Sequence, residues 1–226
     1  MDKFINDTIP KVINIFEKYP GVYSKEERDH IIKNIGWINS NNYYGYLLRE
    51  IYDELGIIDD KDNLYIGFIE MLKKEFGLDK NILEVGGGIL PRLSKRISLQ
   101  QKNGSITVYD PRLAYTKTNN DRFKLIKEKF TIDKLPEECD LIIGVQPYGG
   151  TKTIVETACL NNIDFMIALG QLDGNDFADE YECGSLQREF INNARELVTK
   201  YNLGELMEIE AYQYGNDYPV IYNKRK

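Results

Sequence analysis

Two rhythms divide the chain. Through residue 76, apolar residues recur at helical spacing. Phe4, Ile5, Ile9, Val12, Ile13 and Phe16 form one such set, stopped by Pro20-Gly21. Ser24 and Glu27 have the spacing of a capping box, opening a helix with Ile31, Ile32, Ile35 and Ile38 on one face. Tyr44, Leu47, Leu48, Ile51 and Leu55 predict a third helix. Leu64, Phe68, Ile69, Leu72 and Phe76 predict a fourth, closed by Gly77.

After Gly77, short apolar runs alternate with helical patterns. NILEVG, SITVYD, FKLIKEKFT, CDLIIGVQP and DFMIALG predict five strands. A short helix is expected to open at Thr153, with Glu156 completing its cap, and a longer one at Ser185. ELMEIEAYQYGNDYPVIYNK reads as two strands turning at Gly215-Asn216-Asp217. Strands alternating with helices imply a parallel sheet. The expected architecture is therefore α/β: a doubly wound, mostly parallel seven-stranded sheet over residues 77–226 with a C-terminal antiparallel hairpin, and an N-terminal helical cap over residues 1–76.

Composition removes several chemistries. His30 is the only histidine, and it lies in the charged stretch SKEERDHIIKN. Zinc sites and Ser-His-Asp triads have almost no material, and no metal is expected. Cys139, Cys159 and Cys183 are odd in number and lack disulfide or metal-ligand spacing, so free thiols are expected. The net charge of −7 argues against nucleic acid as a partner, although Lys95, Arg96, Lys102 and Arg112 could form a local basic patch. No run of about 18 apolar residues predicts a membrane span. The first residues lack a secretory pattern, so a cytoplasmic location is expected.

The candidate chemistry lies in NILEVGGGILPRLSKRI, residues 81–97. Glycines between a strand and a helix make a ligand site at the carboxyl edge of a parallel sheet, or simply a tight turn. A phosphate-binding loop fails here, because Pro91 and Arg92 stand where it needs glycine and lysine. A dinucleotide fingerprint from Gly86 and Gly88 would place its third glycine on Pro91. Asp110, ending the second strand 22 residues after Gly88, could accept bonds from ribose hydroxyls. It could equally cap a following helix, with Pro111 in its first turn.

LEVGGGI resembles the first motif of class I S-adenosylmethionine-dependent methyltransferases, with Glu84, Gly86 and Gly88 in the matching places and Leu90 where a third glycine is common. The resemblance extends over residues 77 to 224 and implies S-adenosyl-L-methionine as cofactor. It implies cofactor contacts from Glu84, Gly86, Gly87, Gly88 and Asp110. Phe130 and Thr131 would lie near adenine, and Gln146 and Pro147 beside the donor. Tyr148, Tyr43 and Tyr44 are candidates for the substrate side. Glu84 would position the turn or the methionine amino group. Gln146-Pro147-Tyr148 could orient a polar substrate or form a rigid turn, and the rings of Tyr43, Tyr44 and Tyr46 could face a sulfonium or pack the cap. The implied activity is in-line methyl transfer to a small-molecule acceptor, with no catalytic base singled out. GGGILPRLS also resembles the glycine turn of nicotianamine synthase-like enzymes, which transfer an aminocarboxypropyl group from the same donor. A non-catalytic binding protein and a nicotinamide oxidoreductase are the remaining alternatives.

Overall fold

The computed structural model describes residues 2–18, 23–35, 51, 55, 64–118, 120–147, 149–170, 185–210 and 219–225. Tyr43, Tyr44, Tyr46, Tyr148, Cys183 and the turn at 215–217 lie outside them. The chain divides into two compact units, Met1–Asn63 and Leu64–Lys226.

In the first unit, α1 (Asp2–Lys18) buries Thr8, Val12, Ile15 and Phe16, while Phe4 and Ile13 are each 39 % exposed. The apolar positions are spread widely enough to define two overlapping stripes, and packing selects the one ending at Ile15 and Phe16. α2 (Lys25–Lys33) begins with the expected capping box: Glu27 N–H donates to Ser24 Oγ at 3.1 Å, and Ser24 N–H donates to Glu27 Oε2 at 2.8 Å. Just ahead of it Tyr23 packs on Phe16, ring centroids 5.1 Å apart. Of the third predicted helix only Ile51 and Leu55 are described, joined by a 3.0 Å bond from Leu55 N–H to the Ile51 carbonyl.

The second unit opens with α3 (Leu64–Glu75), which the sequence pattern grouped with the residues before it. Then come β1 (Ile82–Val85), α4 (Arg92–Ser98), β2 (Ile106–Tyr109), β3 (Phe123–Ile126), a 3-10 turn (Ile132–Lys134), β4 (Leu141–Val145), α5 (Thr151–Asn161), β5 (Asp164–Ala168), α6 (Ser185–Lys200), β6 (Glu205–Ile209) and β7 (Val220–Lys224). They form one seven-stranded sheet in the order β3-β2-β1-β4-β5-β7-β6. β1 to β5 run parallel; β7 is antiparallel to both β5 and β6. This is the expected α/β architecture with its antiparallel C-terminal pair.

The sheet is covered on both faces. Alternate residues of each strand enter opposite cores, as the two-residue period requires. Ile82, Ile106, Val108, Leu141 and Ile143 pack with Phe68, Met71 and Leu72 of α3 and with Leu93 and Ile97 of α4. Leu83, Val85, Ile142, Phe165 and Ile167 pack with α5 and α6. β1 and β4 are buried at every position, which explains the apolar run of β4 and, apart from Glu84, that of β1. α5 starts three residues earlier than the Thr153 cap pattern suggested. Gly150 holds the cap position without a side-chain bond, and Thr153 falls inside the first turn.

Candidate functional site

The chain leaves β1 toward β2 and β3, and later fills the other side of β1 with β4 and β5. The point where the order reverses lies between β1 and β4. Open α/β sheets bind ligands at the carboxyl ends of the strands flanking such a point. The glycine turn follows β1, and Gln146-Pro147 follows β4, so the topology brings these two predicted segments together.

Their contact is close. Gly86 has φ 80° and its N–H donates to the Tyr109 carbonyl at 2.9 Å, extending the ladder with β2. A Cβ at Gly86 would stand 2.9 Å from both Cα and Cβ of Pro147, and one at Gly87 would stand 2.4 Å from Val108 Cγ1. The first two glycines are thus required by neighbours inside the protein. Gly88 is different: its N–H donates to Asp110 Oδ2 at 2.9 Å.

Asp110 follows β2 directly and is 9 % exposed, so its carboxylate lies at the edge of the core. Its Oδ1 accepts from Arg112 N–H at 2.7 Å. That is a local turn; among the described residues no helix starts at Pro111, so the helix-cap alternative is not what holds Asp110. Each carboxylate oxygen has one backbone donor and keeps further acceptor capacity.

Glu84 points into the core on the α4 side. Ser94 of α4 donates its hydroxyl to Glu84 Oε2, and Ser94 N–H also bonds the carboxylate. The Glu84 carboxyl carbon is 3.6 Å from where a Cβ of Gly87 would be. Burial, against the opposing Ser94 bonds and with some help from the neighbouring Asp110 charge, pushes the Glu84 carboxyl up to about 7. Ser94 is the site residue that the sequence reading missed. Its signal was a hydroxyl beside Leu93 on the inward face of the helix after the glycines.

Gln146 adopts the left-handed conformation, φ 49°, costly for a residue with a Cβ. Its N–H donates to the Ala168 carbonyl at 2.8 Å, and Gly170 leaves room for its side chain: a Cβ there would meet Gln146 Cβ at 2.9 Å. Pro147 is buried, and its carbonyl accepts from Gly150 N–H at 2.6 Å as α5 begins. Phe130 is 3 % exposed and packs edge-on against Tyr109 at 5.4 Å, in the α5/α6 core rather than on a surface. Thr131 is exposed beside it and bonds Asp133.

The remaining candidates have quieter roles. Burial pushes the free thiols of Cys139 and Cys159 up to about 11, well away from thiolate chemistry at neutral pH. Among the described residues no cluster of His, Cys, Asp and Glu is arranged to hold a metal, and no helix is long and apolar enough to cross a membrane.

The architecture defined by this sheet and turn is Rossmann-like. No protein-family model matches the chain, and no curated protein matches it. Solved structures do match. One is a Corynebacterium glutamicum protein, 14 % identical, TM-score 0.50, covering 88 % of this chain and 97 % of its own. Another is magnesium protoporphyrin IX methyltransferase from Synechocystis PCC 6803 with bound SAH, at 10 % identity and TM-score 0.49, covering 89 % and 95 %. A third is the antibiotic-resistance methyltransferase Kmr, at 12 % identity and TM-score 0.47, covering 73 % and 94 %. Likeness at these identities concerns the fold.

Proposed function

We propose that this chain is an S-adenosylmethionine-dependent methyltransferase acting on a small polar acceptor. The observation that carries the reading is the bond from Gly88 N–H to Asp110, which ties the side-chain-free turn after β1, beside the sheet's reversal point, to a carboxylate at the end of the neighbouring strand β2. A carboxylate with spare lone pairs suits a pair of hydroxyl donors, as a ribose offers. Bound there, S-adenosylmethionine supplies a methyl group on a positively charged sulfur, for in-line transfer to an acceptor lone pair.

The protein's own work is then to hold and align. Asp110 takes the ribose hydroxyls. The backbone of Gly86 to Gly88 lies against the ligand, and Glu84 braces that turn through Ser94. Gln146 and Pro147 border the donor from β4, and Thr131 stands on the adenine side, with Phe130 packed behind it in the core. Tyr148, Tyr43 and Tyr44 stay with the acceptor side of the proposal. The strained backbone of Gln146 supports this assignment, since a left-handed non-glycine residue persists only where its surroundings enforce it.

Calorimetric titration with S-adenosylmethionine, S-adenosylhomocysteine and NAD tests the reading. The two adenosyl ligands are expected to bind and NAD to fail. Asp110→Ala should weaken adenosyl binding by about ten- to a hundredfold, the range for losing hydrogen bonds to a charged group. Unchanged affinity would remove the ribose role. Binding of NAD alone would move the chain to the oxidoreductases.

A further inference from the structure

Glu84 is a carboxyl buried at the root of the glycine turn, and it rests on the function proposed above to explain why it is there. Its surroundings give it little reason to be charged. From α4 it is faced by the Ser94 hydroxyl and N–H, from β2 by Asp110, and from the turn by the backbone of Gly87. Ser94 is neutral and Asp110 repels a second negative charge, so the described neighbours supply no cation. An ionised carboxyl in such a place is costly unless a positive charge comes near. The ligand of the proposed function always brings an ammonium at its amino-acid end, and the donor alone adds a second positive charge. The donor carries a sulfonium, and its product differs in charge only by having a neutral thioether instead.

We propose that Glu84 distinguishes the charged donor from the product: it releases its proton to solvent when a cation occupies the turn and takes a proton back when the ligand's sulfur is neutral. The balance is simple. One O–H bond of the carboxyl breaks on donor binding, the proton goes to buffer, and the same bond reforms when the thioether replaces the sulfonium. The carboxyl's position near the middle of the neutral range makes both forms accessible. A cation that lowers the Glu84 pKa by one unit binds about tenfold more tightly above the transition than below it. The consequence is product release: at pH above the transition the protein holds the sulfonium more tightly than the thioether.

The test compares S-adenosylhomocysteine with sinefungin, an unreactive analogue with an ammonium in place of the sulfonium, on the full chain. Titration at pH 7 in buffers of high and low ionisation enthalpy reads proton release, and titrations at pH 6 and 8 read the affinity ratio. The wild type is expected to release more proton with the cationic analogue than Glu84→Gln does, and to prefer the cation by about tenfold more at pH 8 than at pH 6. In Glu84→Gln the ratio should change only as the ligands' own amino groups titrate, which is common to both proteins. Equal release and equal pH dependence in the two proteins overturn the role of Glu84 while leaving adenosyl binding intact. Failure of both ligands to bind overturns the proposed function and this inference together. If Glu84→Gln does not fold, Ser94→Ala decides: losing a bond that favours the ionised carboxyl should move the affinity change to higher pH, and an unmoved profile rejects the assignment.

Discussion

A single carboxyl under the glycine turn makes the stability of the sheet unit depend on protons. Folded Glu84 titrates at about 7 against an ordinary value of 4.5. Between those values the folded state keeps a proton that the unfolded chain has lost, so stability falls as pH rises. The contribution is complete below the ordinary value and gone above about 7, and it is worth on the order of 3 kcal/mol for a fully buried group. Urea unfolding at pH 5 and pH 8 is expected to show this loss in the wild type and not in Glu84→Gln, whose amide does not titrate. Taking the difference between the two proteins cancels every other titrating group, and a constant difference would refute the buried-acid account. The sequence displayed Glu84 as an awkward acid at a strand end but could not show its partner. Ser94 lies ten residues away, and only the return of α4 across β1 brings it into reach. Likewise Gly86 and Gly87 read as openings for a ligand, yet Pro147 and Val108 already explain both. Those contacts come from β4 and β2, and sequence spacing carries no record of which strands become neighbours.

Elements were more legible than their pairings. The apolar runs of β4, of β5 after Asp164 and of β1 apart from Glu84 declare strands covered on both faces, and the alternation in β3 marks an edge. What the pattern could not give is the insertion of β7 between β5 and β6. One buried amide helps set that arrangement. Asn223 Oδ1 accepts from Phe165 N–H at 2.6 Å, while its Nδ2 donates to Asp164 Oδ1 at 2.9 Å and to the Leu203 carbonyl at 3.2 Å. It thereby touches β5 on one side and the entry to β6 on the other. A slip of one residue would turn this amide to the other face and strand its partners. Asn223→Leu is expected to cost about 1–3 kcal/mol, the penalty for leaving a buried backbone donor unpaired. Chemical denaturation reads it directly, and a loss below about 0.5 kcal/mol, the scatter of ordinary surface changes, would deny the amide a role in register.

At the scale of the whole molecule, α3 decides where the sheet unit begins. Its pattern is helical, like everything before it, yet Phe68, Ile69, Met71 and Leu72 are all buried with the sheet residues Ile82, Ile106 and Ile143. Fully burying one such side chain contributes about 1.5–3 kcal/mol, so four of them are comparable with the entire stability of an ordinary domain, about 5–15 kcal/mol. A fragment of residues 64–226 is therefore expected to melt cooperatively, and one of residues 77–226 to lack a cooperative transition. Near-ultraviolet circular dichroism with a thermal scan distinguishes them; equal stability of the two fragments would mean that α3 only decorates the core. The longer fragment also separates the two halves of the proposed function. All the residues assigned to the ribose and the turn lie beyond residue 64, so it should bind S-adenosylhomocysteine as the full chain does. If residues 1–63 serve the acceptor through Tyr43 and Tyr44, methyl transfer should disappear from that fragment while donor binding persists, and loss of both together would place part of the donor site in the first unit.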